Sequence, residues 1–219
     1  MAFPTTSVLT SFPGADEDPL SEGGAWAAST IRLASATIGR CRLLSNVAAH
    51  PVDGNFAGES VWATQYAADQ ECFATITALP TAGTNGYAVW VRIQSEGTAG
   101  ADGYMLSYNR TIGLRIFKML NSAVTQVGTT TDAGDLAIGD SIGISGEGTT
   151  IKAWRKPAAG AWSNTITETD SNVTGAGKIG VLISAGSSVR VDDFGNGEVV
   201  AGVDVIPLRS QHLDYDYSR

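Results

Sequence analysis

Histidine and cysteine each occur only twice in 219 residues, and that scarcity removes several chemistries at once. His50 and His212 fall in a loop and a tail by local pattern, which leaves a histidine-based catalytic triad nothing to build on. Cys41 and Cys72 are too few for a disulfide scaffold or a Cys-rich zinc site. Cys72 sits inside an alternating stretch where a small apolar residue would serve, so both are expected as buried thiols rather than a bridge. Basic residues are also sparse: 14 Lys and Arg stand against 22 Asp and Glu, a net charge of -8, and no basic run occurs. Phosphate binding rests on clustered cations, so an unassisted nucleic-acid surface is not expected. No apolar run approaches the ~18 residues of a membrane helix, and the residues after Met1 lack the basic segment and apolar core of a secretory signal. Synthesis in a cytosol is the expectation, and Asn109-Arg110-Thr111 and Asn172-Val173-Thr174 read as chance matches to the glycosylation pattern.

What the chain does have is 26 glycines, abundant Thr, Ser and Ala, and only 16% charged residues. Helices favour Leu, Glu, Lys and Arg, so this composition predicts an all-β fold of short strands and tight turns. At this length one large sandwich can hold a single core. Residues 5–12 read as an opening strand, followed by the turn-rich acidic stretch Pro13-Gly14-Ala15-Asp16-Glu17-Asp18-Pro19 and then Trp26. Residues 28–44 fit neither period and are read as strands broken at Gly39. Residues 70–79 place Cys72, Ala74, Ile76 and Ala78 on one face and Phe73, Thr75, Thr77 and Leu79 on the other, as an inner strand would. Residues 86–93 continue the meander, and residues 104–108 and 112–120 form a hairpin across Asn109 to Thr111. Further strands at 124–131, 141–145, 149–155, 165–169 and 178–184 keep a spacing of roughly ten residues, that of a sandwich. The alternation Val189-Arg190-Val191-Asp192, ending on Asp193-Phe194, is read as a closing edge.

Several of these segments together carry a likeness: Ser11-Phe12 with the acidic loop and Trp26, Gly86-Tyr87 through Arg92, Gly103-Tyr104-Met105-Leu106, Gly139-Asp140-Ser141-Ile142, Thr150-Ile151-Lys152-Ala153-Trp154, and Gly177-Lys178-Ile179-Gly180-Val181 with Asp192-Asp193-Phe194. The chain resembles the concanavalin A-like, laminin-G-like jelly roll in the version common in bacteriophage virion proteins. The resemblance spans roughly residues 5–198 and implies two antiparallel sheets, with the first strand pairing near Asp192-Asp193-Phe194. Residues 1–198 are then the jelly-roll domain and residues 199–219 an extended C-terminal arm. One departure counts against a family-type calcium site: Thr10-Ser11-Phe12 lacks the acid that members often carry before that Phe.

Jelly rolls of this kind include glycoside hydrolases, which need two carboxylates facing one cleft. No Glu-x-Asp-x-Glu pattern occurs; Glu168 with Asp170 and Asp16 with Asp18 alternate, but at a strand end and in a Pro-bounded loop, where solvated acids are expected. Calcium is the only ion with candidate ligands, Asp192, Asp193 and loop carbonyls, against the alternative that either acid hydrogen-bonds a neighbouring turn. For a glycan, an exposed aromatic could stack on a sugar face: Trp62, Trp90, Trp154 and Trp162 are candidates. Trp90 and Trp154 lie in strand patterns that favour the core, and Trp162, after a Pro/Gly loop, is expected to be the most exposed. In the arm, Ile206, Leu208, Leu213, Tyr215 and Tyr217 offer anchors for docking on a neighbouring subunit, or the arm packs on its own domain.

These readings lead to an expectation of a non-enzymatic virion component, a capsid decoration or cement protein. It would bind the major capsid protein or other virion subunits as a homo-oligomer, made in the host cytoplasm and without a cofactor. The alternative is a carbohydrate-binding adhesin of a phage tail or bacterial surface.

Overall fold

The computed structural model describes residues 2–32, 38–51, 57–79, 86–129, 131–184 and 188–199, and they form two stacked sheets. The eight-stranded sheet runs β13 (Ser163–Thr169), β12 (Thr150–Lys156), β11 (Ser141–Glu147), β6 (Gln70–Ala78), β15 (Arg190–Glu198), β4 (Ala48–Ala49) and β3 (Arg42–Leu43), with β1 (Val8–Thr10) also paired to β15. The seven-stranded sheet runs β10 (Ala123–Gln126), β9 (Gly113–Leu120), β8 (Asp102–Asn109), β7 (Gly86–Gln94), β14 (Lys178–Ser184), β5 (Ala57–Val61) and β2 (Ile38–Gly39). This is the concanavalin A-like jelly-roll sandwich. Its pairs are antiparallel except β2 on β5, which is parallel.

The alternation of side chains along each strand explains the stacking. Cys72, Ala74 and Ile76 of β6, Ile142 and Ile144 of β11, and Val89 and Val91 of β7 all point between the sheets and are buried. Both thiols are free and buried; burial pushes Cys41 up to about 12 and Cys72 well above its ordinary value, so neither is a nucleophile at neutral pH. A second apolar layer lies on the far side of the seven-stranded sheet. There Trp90 and Met105 are covered by Ile31 and Ala101, which makes Trp90 a fully buried core residue.

The first and last strands lie side by side, with Val8 opposite Gly195 and Thr10 opposite Phe194. That pairing corrects the reading of residues 189–194 as a closing edge. β15 is an interior strand, with β6 on one side and β1 and β4 on the other, because three strands from the N-terminal part of the chain add to it. The opening strand is also shorter than expected. Residues 2–6 leave the sheet and lie across its outer face, where Glu71 of β6 accepts hydrogen bonds from the Thr5 and Thr6 amides. The arm anchors Ile206, Leu208, Leu213, Tyr215 and Tyr217 lie outside the described residues.

Candidate functional site

The acidic loop after β1 builds a groove. Its backbone is pinned to the sheet by reciprocal hydrogen bonds between Glu17 and Leu43 and by the Leu20 amide donating to the Cys41 carbonyl, while the Leu20 side chain is fully buried. Anchored this way, the Glu17 carboxylate faces the next turn and accepts from the Ser21 amide at 2.8 Å, the Ser21 hydroxyl at 2.9 Å and the Glu22 amide at 2.8 Å. It thereby caps a single 3₁₀ turn, Glu22–Gly24. The Glu22 and Ser21 amides hold the Glu17 carboxyl below its ordinary range.

Glu22 is held in turn. One oxygen accepts the Trp26 indole N–H at 2.6 Å and the other the Thr10 hydroxyl at 2.7 Å. Trp26 is 2% exposed and stacks on Phe12, with Phe194 at 4.9 Å between ring centroids. Trp62 meets Trp26 edge-on at 5.2 Å and is half-buried, so it forms the outermost ring of this cluster. Leu9, Thr10, Pro13, Glu17, Glu22 and Trp62 line a groove of about 400 Å³.

The groove sets an apolar ring beside two carboxylates. A half-buried indole offers an apolar platform, and carboxylate oxygens beside it accept hydrogen bonds from hydroxyls. General acid catalysis would need a carboxyl held above its usual range, and Glu17 is shifted the other way.

Of the acid pairs Glu168 with Asp170 and Asp16 with Asp18, Asp170 and Asp16 are held by local hydrogen bonds. Asp170 accepts from the Tyr104 hydroxyl at 2.6 Å and the Lys118 ammonium at 2.7 Å. Burial opposes its ionisation, but Lys118, Tyr104 and the Asn172 amide outweigh burial and hold it below the ordinary range. Glu168 packs over Gly128, and Asp16 accepts the Ser45 amide at 2.7 Å. At Asp192 and Asp193 the register of β15 against β6 slips, and Asp193 takes φ 47°; Asp192 accepts the Asp193 amide at 2.7 Å. The two acids therefore shape a β-bulge. Among the described residues no group of three His, Cys, Asp or Glu side chains converges as a metal site.

Trp162 is half-buried in a second aromatic cluster, edge-on to Phe3 at 4.9 Å and to Phe73 at 5.8 Å. Trp154 joins it half-buried, stacked on Phe3 at 4.7 Å, on the outer face rather than in the core. The sequence reading singled out neither Glu17 nor Glu22. Their signal was the spacing Glu17, Ser21-Glu22, Trp26, where a carboxylate caps the next turn and the following one reaches an indole.

No protein-family model matches the chain, and no characterised protein matches it in sequence. Solved structures match its fold. A carbohydrate-binding module from Bacillus subtilis, CBM66, superposes with TM-score 0.57 at 14% identity over 82% of this chain and 99% of the module. The exoplasmic/lumenal domain of VIP36, in a form bound to Ca²⁺ and Man2, superposes with TM-score 0.59 at 12% identity over 89% of this chain and 88% of that domain. Lectin I-B4 from Griffonia simplicifolia, in a metal-free form, gives TM-score 0.52 at 10% identity over 73% of this chain and 91% of the lectin. At these identities the likeness is one of fold.

Proposed function

We propose that the chain is a non-catalytic carbohydrate-binding domain and that the groove at Trp62 is its sugar seat. The observation that carries this is the half-buried Trp62 indole standing beside the Glu17 and Glu22 carboxylates, whose positions are set by five hydrogen bonds within the loop and strand around them. A pyranose presents a C–H face to an indole and hydroxyl donors to carboxylates. None of the lining residues is basic, so neutral sugars fit and anionic ones are disfavoured. Carbohydrate-binding module CBM66 and lectin I-B4, which share the fold, support this reading.

Glycan-array screening of the full chain followed by calorimetry on the best ligand tests it. Trp62→Ala is expected to abolish binding while the chain still melts cooperatively. Retained binding in Trp62→Ala with loss in Trp162→Ala would move the seat to the outer aromatic cluster. Absence of binding to any glycan at millimolar concentration overturns the reading.

The capsid-decoration reading rests on the sequence resemblance and on the arm of residues 199–219, nearly all of which lies outside the described residues. The neighbours named above are a carbohydrate-binding module, a domain in a Man2-bound form and a lectin, and they favour the glycan reading over a capsid role. Calcium belongs in name to the VIP36 complex; in this chain Asp192 and Asp193 are committed to a bulge and gain no third carboxylate among the described residues.

A further inference from the structure

The outer face of the eight-stranded sheet holds the chain's own residues 2–6 in a fitted seat. In register across β12, β11, β6 and β15 lie Trp154, Gly143, Phe73 and Gly195. At Gly143 a Cβ would stand 2.4 Å from the Phe3 ring, so only glycine leaves room for that ring to lie on the strand. Phe3 fills this seat at 8% exposure, stacked flat on Trp154 with an interplanar angle of 4° and closed in by Phe73 and Trp162.

Two residues along β6, in the next row on the same face, Glu71 reads the backbone that follows. One of its oxygens accepts the Thr5 amide at 2.6 Å, the Thr6 amide at 2.8 Å and the Thr6 hydroxyl at 2.6 Å, and Glu71 is 1% exposed. Opposite Glu71, Gly197 leaves space for the Thr6 methyl, which stands 2.5 Å from where a Cβ would be. The space left between segment and sheet is about 10 Å³, room for roughly one water. A ring pocket followed by a carboxylate that collects backbone N–H groups is the equipment of a peptide receptor.

We propose that this face is a peptide-binding site for an extended segment with an aromatic residue followed two and three positions later by free backbone N–H groups, and that besides the chain's own residues 2–6 it takes those of a second copy. Exchange is feasible because little ties the segment to the core beyond these anchors. β1 makes only two register pairs, with a slip between them, and its Val8 and Leu9 are 45% and 38% exposed. Residues 7–9 can therefore serve as the linker across which the segment passes to a neighbour, at the cost of the Val8–Gly195 pair.

The test uses full-length chains and a labelled peptide, Ala-Phe-Pro-Thr-Thr-Ser. A Phe3→Ala chain, whose own segment has lost its anchor, is expected to bind the peptide saturably. The unaltered chain should bind about tenfold more weakly or less, because its own segment competes at an effective concentration on the order of millimolar. Adding Glu71→Gln to Phe3→Ala should weaken binding about tenfold, as expected for losing a charge-assisted contact, and adding Gly143→Ala should remove it. A cooperatively melting Phe3→Ala chain that ignores the peptide overturns the proposal, as does equal binding with Gly143→Ala added. If Phe3→Ala does not fold, excess peptide added to the unaltered chain should raise amide exchange at Thr5 and Thr6 by displacing them; unchanged exchange overturns the site. For the second copy, a Gly143→Ala chain, with its segment free and its seat blocked, is mixed with the Phe3→Ala chain. A 1:1 complex in sedimentation that neither forms alone supports exchange, and a purely monomeric mixture overturns the second copy as occupant.

Discussion

Four aromatic rings meet at each of two places in this sandwich, with opposite consequences. Phe12, Trp26, Trp62 and Phe194 converge between the ends of the sheets, with Phe12 and Phe194 fully buried. Phe3, Phe73, Trp154 and Trp162 converge on the outer face of the eight-stranded sheet, with both tryptophans half-buried. The inner cluster is held by the fold itself, and the N–H of its buried indole, Trp26, is satisfied by Glu22. The outer cluster is completed by a ring that only residues 2–6 supply, fixed through Glu71. A ring between the sheets therefore serves stability first, and function only where Trp62 reaches the groove. A ring on the outer face can be uncovered without opening the core, which is what the proposed docking requires.

The sharpest way to break this contrast is to remove one ring from each cluster. Phe194→Ala leaves a cavity that the surrounding strands cannot fill and should cost about 3 to 5 kcal/mol. Phe3→Ala opens a site that water can enter and should cost about 1.5 to 3 kcal/mol, set by lost apolar contact without a closed cavity. Urea unfolding of the two variants measures the difference; equal losses would mean that residues 2–6 belong to the core, and the contrast would collapse.

Next in size is the carboxylate behind each cluster. Glu22→Ala strands the Trp26 N–H in a buried position, so a loss of about 1 to 3 kcal/mol is expected, together with loss of glycan binding. Glu71→Ala releases amides and a hydroxyl that water can then reach, so about 1 to 2 kcal/mol is expected. Thermal melts with tryptophan fluorescence follow both. A larger loss from Glu71 than from Glu22 would reverse the assignment of stability to one cluster and docking to the other.

The central strands were legible because their cause is local. Residues 70–79 and 86–93 carry the alternation and the β-branched and aromatic content that a two-sided strand requires, and the strands form at Gln70–Ala78 and Gly86–Gln94, one residue from the expected ends. The hairpin across Asn109 to Thr111 follows from the same pattern, and the pairing of first and last strands followed from the family resemblance. The seat for Phe3 was not legible, because its determinant is a missing side chain at Gly143, 140 positions along the chain from the ring it admits. A glycine inside a strand does not announce which residue will fill its place. The groove was missed for a related reason. Glu17 and Glu22 lie in a stretch that looks solvated, and only the tertiary approach of Thr10 and Trp62 turns their hydrogen bonds into the wall of a site. The bulge at Asp192 and Asp193 was hidden by an alternation that runs on through the slip.

The smallest expected effect compares one carboxylate from each side. Glu17, in the groove, is held below its ordinary range by the Glu22 and Ser21 amides, so its ionised form stabilises the fold. That contribution is fully present above the unfolded-state value near 4.5 and is lost as pH falls through the lower folded-state value. Asp192, on the eight-stranded sheet, is raised by burial and by the neighbouring Asp193 charge, so its ionised form is penalised at neutral pH. The penalty disappears as pH falls through its folded-state value, which lies above 3.8. Glu17→Gln should therefore be less stable than the unaltered chain at pH 7, with the gap narrowing toward pH 3. Asp192→Asn, which keeps an acceptor for the Asp193 amide, should be slightly more stable at pH 7 and indistinguishable by pH 3. Urea midpoints at the two pH values decide it. Shifts of the same sign in both variants would mean that the loop amides do not hold Glu17, and with them would go the fixed carboxylate on which the groove depends.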